Sequence, residues 1–115
     1  MKKILIVDDD EDILEVVKWI LKSQGFDVHT HSTGLNVTEV VMNYAPDIIL
    51  LDIRLPGKLG TQVCKELKQI YTTPIILFSA HTKKDQALAI CRADAFIQKP
   101  FDMKQLVNTI NLHLN

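Results

Sequence analysis

Four apolar runs in this sequence break off at side chains able to carry charge or donate a proton. "ILIVDDD" ends on Asp8 and Asp9, "IILLD" on Asp52, "IILFS" on Ser79, and "AFIQKP" on Lys99 followed by Pro100. A carboxylate at the end of a buried run is costly to desolvate unless its charge is shared. If the runs are neighbouring parallel strands about 5 Å apart, Asp8 and Asp9 meet Asp52 across the sheet. Three such carboxylates repel one another, raise one another's pKa and need a cation to stay ionised. Oxygen-only donors favour a hard divalent ion, and a site with few carboxylates suits Mg2+, which keeps waters and takes phosphate oxygens. Three carboxylates, one divalent ion and the Lys99 ammonium then sum to zero, so an anionic phosphoryl group can enter. A carboxylate is a competent nucleophile toward phosphorus. The cation, Lys99 and the Ser79 hydroxyl would hold the transferred oxygens, because phosphoryl transfer asks mainly for positioning and charge stabilisation. The next acids, Asp10, Glu11 and Asp12, fit a helix N-terminus instead, where a cap and negative charge are favourable.

The elements that must bring these residues together follow from the hydrophobic pattern. Short apolar runs alternate with longer amphipathic stretches five times, the pattern of βα units. "KILIV", "IILL" and "IILF" are uninterrupted, as strands covered on both faces should be, whereas "FDVHTH" (Phe26 to His31) alternates and belongs nearer an edge. "AFI" is a short fifth strand. Ile13, Leu14, Val17, Ile20 and Leu21 supply the apolar face of the first helix, which stops at Gly25. Val37, Val40, Val41 and Tyr44 stripe the second helix, with Asn36 and Glu39 placed as a cap and its reciprocal partner. Val63, Leu67 and Ile70 stripe the third, and Leu106, Val107, Ile110 and Leu114 the last; a fourth lies around Asp85 to Cys91. Right-handed crossovers put helices on both faces, giving a doubly wound five-stranded parallel α/β sheet. Ligands of such sheets sit beyond the carboxyl ends of the strands, where the polar residues above are delivered.

Composition narrows the classes. The chain has 115 residues, which suits one domain. A net charge of −1 with 23% charged residues lacks the basic excess of a nucleic-acid surface. The start, "MKKILIV", has an apolar run too short for a signal peptide, and no stretch approaches a membrane span, so a cytoplasmic location is expected. Cys64 and Cys91 have no CxxC spacing and read as buried or half-buried free thiols.

The segments "ILIVDDD", "PDIILLDIRLPGKLG", "TPIILFSA" and "KPF", in this order and spacing, resemble the receiver domain of two-component response regulators, of the single-domain chemotaxis-regulator kind. The resemblance runs from Lys3 to about Leu114. It implies a flavodoxin-like (βα)5 fold with strand order 2-1-3-4-5, and one receiver domain over residues 1–115 without an output domain, either stand-alone or cut from a longer regulator. It implies that Asp52 accepts a phosphoryl group from a histidine kinase or phosphotransfer protein, and that Asp9, Asp52 and the backbone carbonyl of Arg54 hold Mg2+, with Asp8 assisting through water; Mn2+ or Ca2+ could substitute. Lys99 would pair with a phosphoryl oxygen, Ser79 would bond to another, and Lys99 and Pro100 would share a cis peptide bond. As a switch, Ser79 would move toward the phosphate, the loop at Ala80 and His81 would follow, and Phe96 would swing inward. That would change a surface of the fourth helix, fifth strand and fifth helix, read by a protein target or a second copy. Arg54 and His81 would tune the phosphate lifetime. Two positions depart from the usual family residues, Phe96 in place of Tyr and Arg92 where a glycine commonly ends the fourth helix.

Two other functions fit the sequence poorly. An FMN-binding protein of the same sheet order would need an anion-binding loop after the first strand, and "VDDDED" is the opposite. A phosphatase with an aspartate nucleophile would carry a second acid two positions after Asp52, where Arg54 stands. His29 and His31 share a strand face without a visible third ligand and read as solvent-facing, His113 as exposed near a fraying terminus, and Trp19 as a core residue.

Overall fold

A computed structural model describes residues 1–80 and 91–114. Five strands, β1 (Lys3–Val7), β2 (Asp27–His31), β3 (Ile48–Asp52), β4 (Ile75–Ser79) and β5 (Ala95–Gln98), form one parallel sheet in the order β2-β1-β3-β4-β5. The described helices are α1 (Glu11–Ser23), α2 (Val37–Tyr44), α3 (Gly60–Ile70) and α4 (Met103–His113), the last corresponding to the fifth helical stretch of the sequence. The fourth stretch, but for Cys91, lies outside the described residues.

Side chains that alternate along the strands feed two separate cores, which is why the runs are apolar without interruption. Leu5, Val7, Ile49 and Leu51 pack with Val37, Val41, Val63 and Leu67 of α2 and α3. Ile4, Ile6, Ile48 and Leu50 pack on the other face with α1 and α4. β2 is an edge strand, as its alternation implied, although it begins at Asp27, with Phe26 only half-buried. Asp10 caps α1, its carboxylate accepting from the N–H of Asp12 at 3.0 Å and of Ile13 at 3.3 Å. Gly25 follows α1 at φ +91°, a conformation that few side chains permit.

Several local expectations fail for identifiable reasons. Asn36 precedes α2 but sits at φ 62° and makes no side-chain capping bond. A cap needs extended backbone to aim its side chain at the helix, and here the loop is held against the β3–α3 connection: the Gly34 N–H donates to the Pro56 carbonyl at 2.9 Å. Trp19 is 70% exposed. It lies two residues, or about 200° of helix, beyond the buried Val17, so it faces water. Ile70 is 61% exposed because the α3 stripe continues instead to Tyr71, which packs against the core. Arg92 is exposed, and among the described residues positive φ at a non-glycine occurs only at Asn36 and Ala45.

Candidate metal centre

The register sets the site. Val7 pairs with Leu51 and Asp52 with Phe78, so the residues just after β1 stand beside the end of β3. Asp8, Asp9 and Asp52 each place a carboxylate oxygen within 4.8 Å of the others. Asp8 is fully buried and Asp52 is 7% exposed, whereas Asp9 faces solvent. The chain resumes after β5 with Lys99, whose Nζ lies 2.8 Å from Asp8 Oδ2 and 3.4 Å from Asp52 Oδ2, above the Phe78 ring.

Backbone groups fix the two buried acids. The Asp10 N–H donates to Asp8 Oδ1 at 2.9 Å, and the Ile53 N–H to Asp52 Oδ1 at 2.7 Å. In each acid the second oxygen, Oδ2, turns to Lys99. Burial pushes the Asp52 carboxyl above the usual carboxylate range, and the Asp8 charge pushes the same way; Lys99 and the Ile53 N–H draw it back.

Gly60, the first residue of α3, meets Asp52 backbone to backbone. A Cβ on Gly60 would stand 1.9 Å from the Asp52 carbonyl oxygen, and the Gly60 N–H donates to the Ile53 carbonyl at 2.7 Å. The preceding turn uses Gly57 at φ +87°, roofed by Leu35 of the β2–α2 loop. The sequence marks both glycines, with Pro56, as a turn after the acid; a glycine opening a helix eight residues after Asp52 was the available signal for the closer contact.

The remaining candidates fall as follows. Ser79 ends β4 in a fully enclosed position, one residue past the register partner of Asp52, and its carbonyl accepts from the Lys99 N–H at 3.0 Å. Arg54 is exposed and lines, with Asp8, Asp9, Asp52 and Lys99, a cavity of about 720 Å³. Its lining also includes apolar residues, among them Val16 and Ile20 of α1, Phe101 and Met103, the first residue of α4, which the motifs did not signal. The Lys99–Pro100 peptide bond is cis. Phe96 is half-buried on β5, against the α2–α3 core. His81 lies outside the described residues. His29 faces solvent and packs on Tyr44, His31 Nε2 lies 2.7 Å from the Leu35 carbonyl, and His113 is half-buried. No described helix is long and apolar enough to cross a membrane.

The donor set fits a divalent cation. All ligand atoms are carboxylate oxygens, and three carboxylates against one ammonium leave a local excess of two negative charges, which one hard dication matches.

Comparison with known proteins agrees with this geometry. The family model of the response regulator receiver domain matches residues 4–111. The BeF3-activated N-terminal receiver domain of Klebsiella pneumoniae RstA is 30% identical, with a TM-score of 0.93 and 99% of each chain covered. A CheY-like receiver domain protein from Methanospirillum hungatei is also 30% identical, with a TM-score of 0.91, covering 99% of this chain and 94% of that one. The N-terminal domain of the nisin resistance regulator NsrR is 33% identical, with a TM-score of 0.88, over 100% and 99%. With its parallel sheet in the order 2-1-3-4-5 and its acidic pocket at the strand ends, this chain belongs to the response regulator receiver domain family, the phosphorylation-dependent signalling domain of two-component systems.

Proposed function

We propose that Asp52 is the phosphoacceptor of a Mg2+-dependent switch, charged by a histidine kinase or a histidine phosphotransfer protein. The observation that carries this is the meeting of three carboxylates within 4.8 Å with Lys99 Nζ in contact with two of them. Asp8, Asp9, Asp52 and the Arg54 backbone carbonyl would hold the ion, which when bound supplies positive charge for the phosphoryl oxygens. The Ile53 N–H holds Asp52 Oδ1, leaving Oδ2 as the attacking oxygen. The Asp52 O–P bond forms as the donor's N–P bond breaks, and the departing imidazole takes up a proton. Lys99, already beside Oδ2, pairs with one phosphoryl oxygen, and the Ser79 hydroxyl donates to another.

The phosphorylated state is read out through Ser79 and Phe96 to a surface that includes β5 and α4, recognised by a protein target or by a second copy of the domain. Arg54 and His81, beside the pocket in sequence, tune how fast water returns the aspartyl phosphate to the acid. The domain acts in the cytoplasm as a signalling partner rather than as an enzyme on other molecules.

Incubation with a small phosphodonor and Mg2+, followed by intact-mass measurement, tests this. The expected result is one phosphoryl adduct, lost in EDTA and absent from Asp52→Asn. Labelling on histidine, or a metal-independent adduct, would overturn it.

A further inference from the structure

Cys64 and Cys91 lie apart from the acid site, and nothing in their spacing pairs them. In the fold both are reduced and enclosed, 0% and 3% exposed, within the core beneath α2 and α3. Their thiols share a hydrogen bond. Cys64 sits on α3 one turn before Lys68, and Lys68 Nζ reaches Asp94 Oδ2 at 2.5 Å and the Thr73 carbonyl at 3.2 Å. Asp94 is itself fixed to β4, its carboxylate accepting from the Ile75 N–H and its own N–H donating to the Ile75 carbonyl, both at 2.8 Å. The segment entering β5 is therefore tied to α3 at two points one helical turn apart, by an ion pair at Lys68–Asp94 and by sulfur at Cys64–Cys91. The two thiols are thus neighbours in one core, on backbones anchored independently of each other.

We propose that Cys64 and Cys91 are a disulfide-forming pair, closed by a small oxidant of the peroxide class and reopened by a dithiol, that staples α3 to the segment entering β5. The environment assigns the roles. The hydrogen bond from Cys64, the Ala93 N–H and the Lys68 ammonium favour the Cys91 thiolate against its burial. Cys64, which gives its proton to that hydrogen bond and is itself buried, is pushed up and held as the thiol. The Cys91 thiolate attacks one oxygen of hydrogen peroxide, the O–O bond breaks, and Cys91 becomes a sulfenic acid while the departing hydroxide takes up a proton from solvent and leaves as water. The Cys64 sulfur then attacks the Cys91 sulfur; the S–O bond breaks, the Cys64 proton leaves with the hydroxyl as a second water, and the S–S bond forms. Enclosure restricts the oxidant to one of about the size of water, so bulky thiol reagents are excluded while the fold is intact.

The proposal is independent of phosphorylation, and its readout is covalent. The reduced chain is exposed to hydrogen peroxide, quenched in acid, alkylated in denaturant and weighed intact. The expected product has lost two hydrogens, carries no alkyl group, yields a Cys64–Cys91 cross-linked peptide, and returns to the doubly alkylated form after dithiothreitol. In Cys64→Ala, Cys91 instead gains oxygen, since no resolving thiol is present; in Cys91→Ala, Cys64 stays alkylatable. The wild-type measurement does not depend on either variant folding. Full alkylation of both cysteines after peroxide treatment, or a disulfide formed only between chains, would overturn the pairing.

Discussion

Replacing Asp52 by Asn should stabilise the metal-free protein. Carboxylate oxygens no more than 4.8 Å apart repel by about 3.5 kcal/mol or more at an effective dielectric constant of about 20, and an ammonium 3.4 Å away attracts by about 5 kcal/mol. Asp52 meets two repulsions and one attraction, a balance of about 2 kcal/mol against its charge before burial is counted. Solvent around the exposed Asp9 screens part of this, leaving a relief on the order of 1 kcal/mol. The raised Asp52 pKa has the same sense: its stabilising contribution is complete only below the ordinary carboxylate range and is lost as pH rises through the raised value, so at neutral pH the ionised group weakens the fold. The Asn oxygen can still accept from the Ile53 N–H, and Lys99 keeps Asp8 at 2.8 Å. Thermal unfolding at pH 7 in EDTA should therefore place Asp52→Asn about 4 °C above wild type. Mg2+ at about 100 times its Kd should stabilise wild type by about 2.7 kcal/mol, and the variant by much less. A variant melting at or below wild type in EDTA would refute the view that uncompensated charge dominates this pocket.

Two further outcomes follow from the structure. Gly60→Ala would place a methyl group 1.9 Å from the Asp52 carbonyl oxygen; the strand end and α3 must separate, so the urea midpoint should fall by the equivalent of about 3 kcal/mol and phosphodonor labelling should slow with it, and an unchanged midpoint would show that the contact yields freely. Burial, together with the Asp27 and Asp47 carboxylates, pushes the Tyr44 hydroxyl up to about 12 from the ordinary tyrosine value of about 10; stability should decline as pH rises from the lower value through the upper one, and alkaline denaturation of Tyr44→Phe should lack that component.

Much of the fold was legible because both faces of the sheet are covered. Strands such as Ile48–Asp52 carry their burial in unbroken aliphatic runs, and the polar residue ending each run marks the edge where the site forms. The acids and Lys99 could be placed for that reason. What escaped the sequence depended on facing and on loop geometry. Trp19 is apolar enough for a core and is excluded only by its angular position on α1. Asn36 has the right residue type for a cap and the wrong backbone, set by a hydrogen bond from Gly34 to Pro56 that no local pattern encodes. The contact between Cys64 and Cys91 joins positions far apart in the chain with no shared motif, and only the packing of α3 against the approach to β5 brings them together.

The abutment of Gly60 on the Asp52 backbone has a mechanical consequence. With no side chain between them, the acceptor's strand end and the first turn of α3 behave as one stiff body, and a push on the carboxylate is passed to the helix with little loss. The compliant partner lies opposite, where Lys99 reaches the acids on four rotatable bonds. Accommodation of an incoming group should thus be absorbed on the lysine side of the pocket, while the helix side serves as its fixed reference.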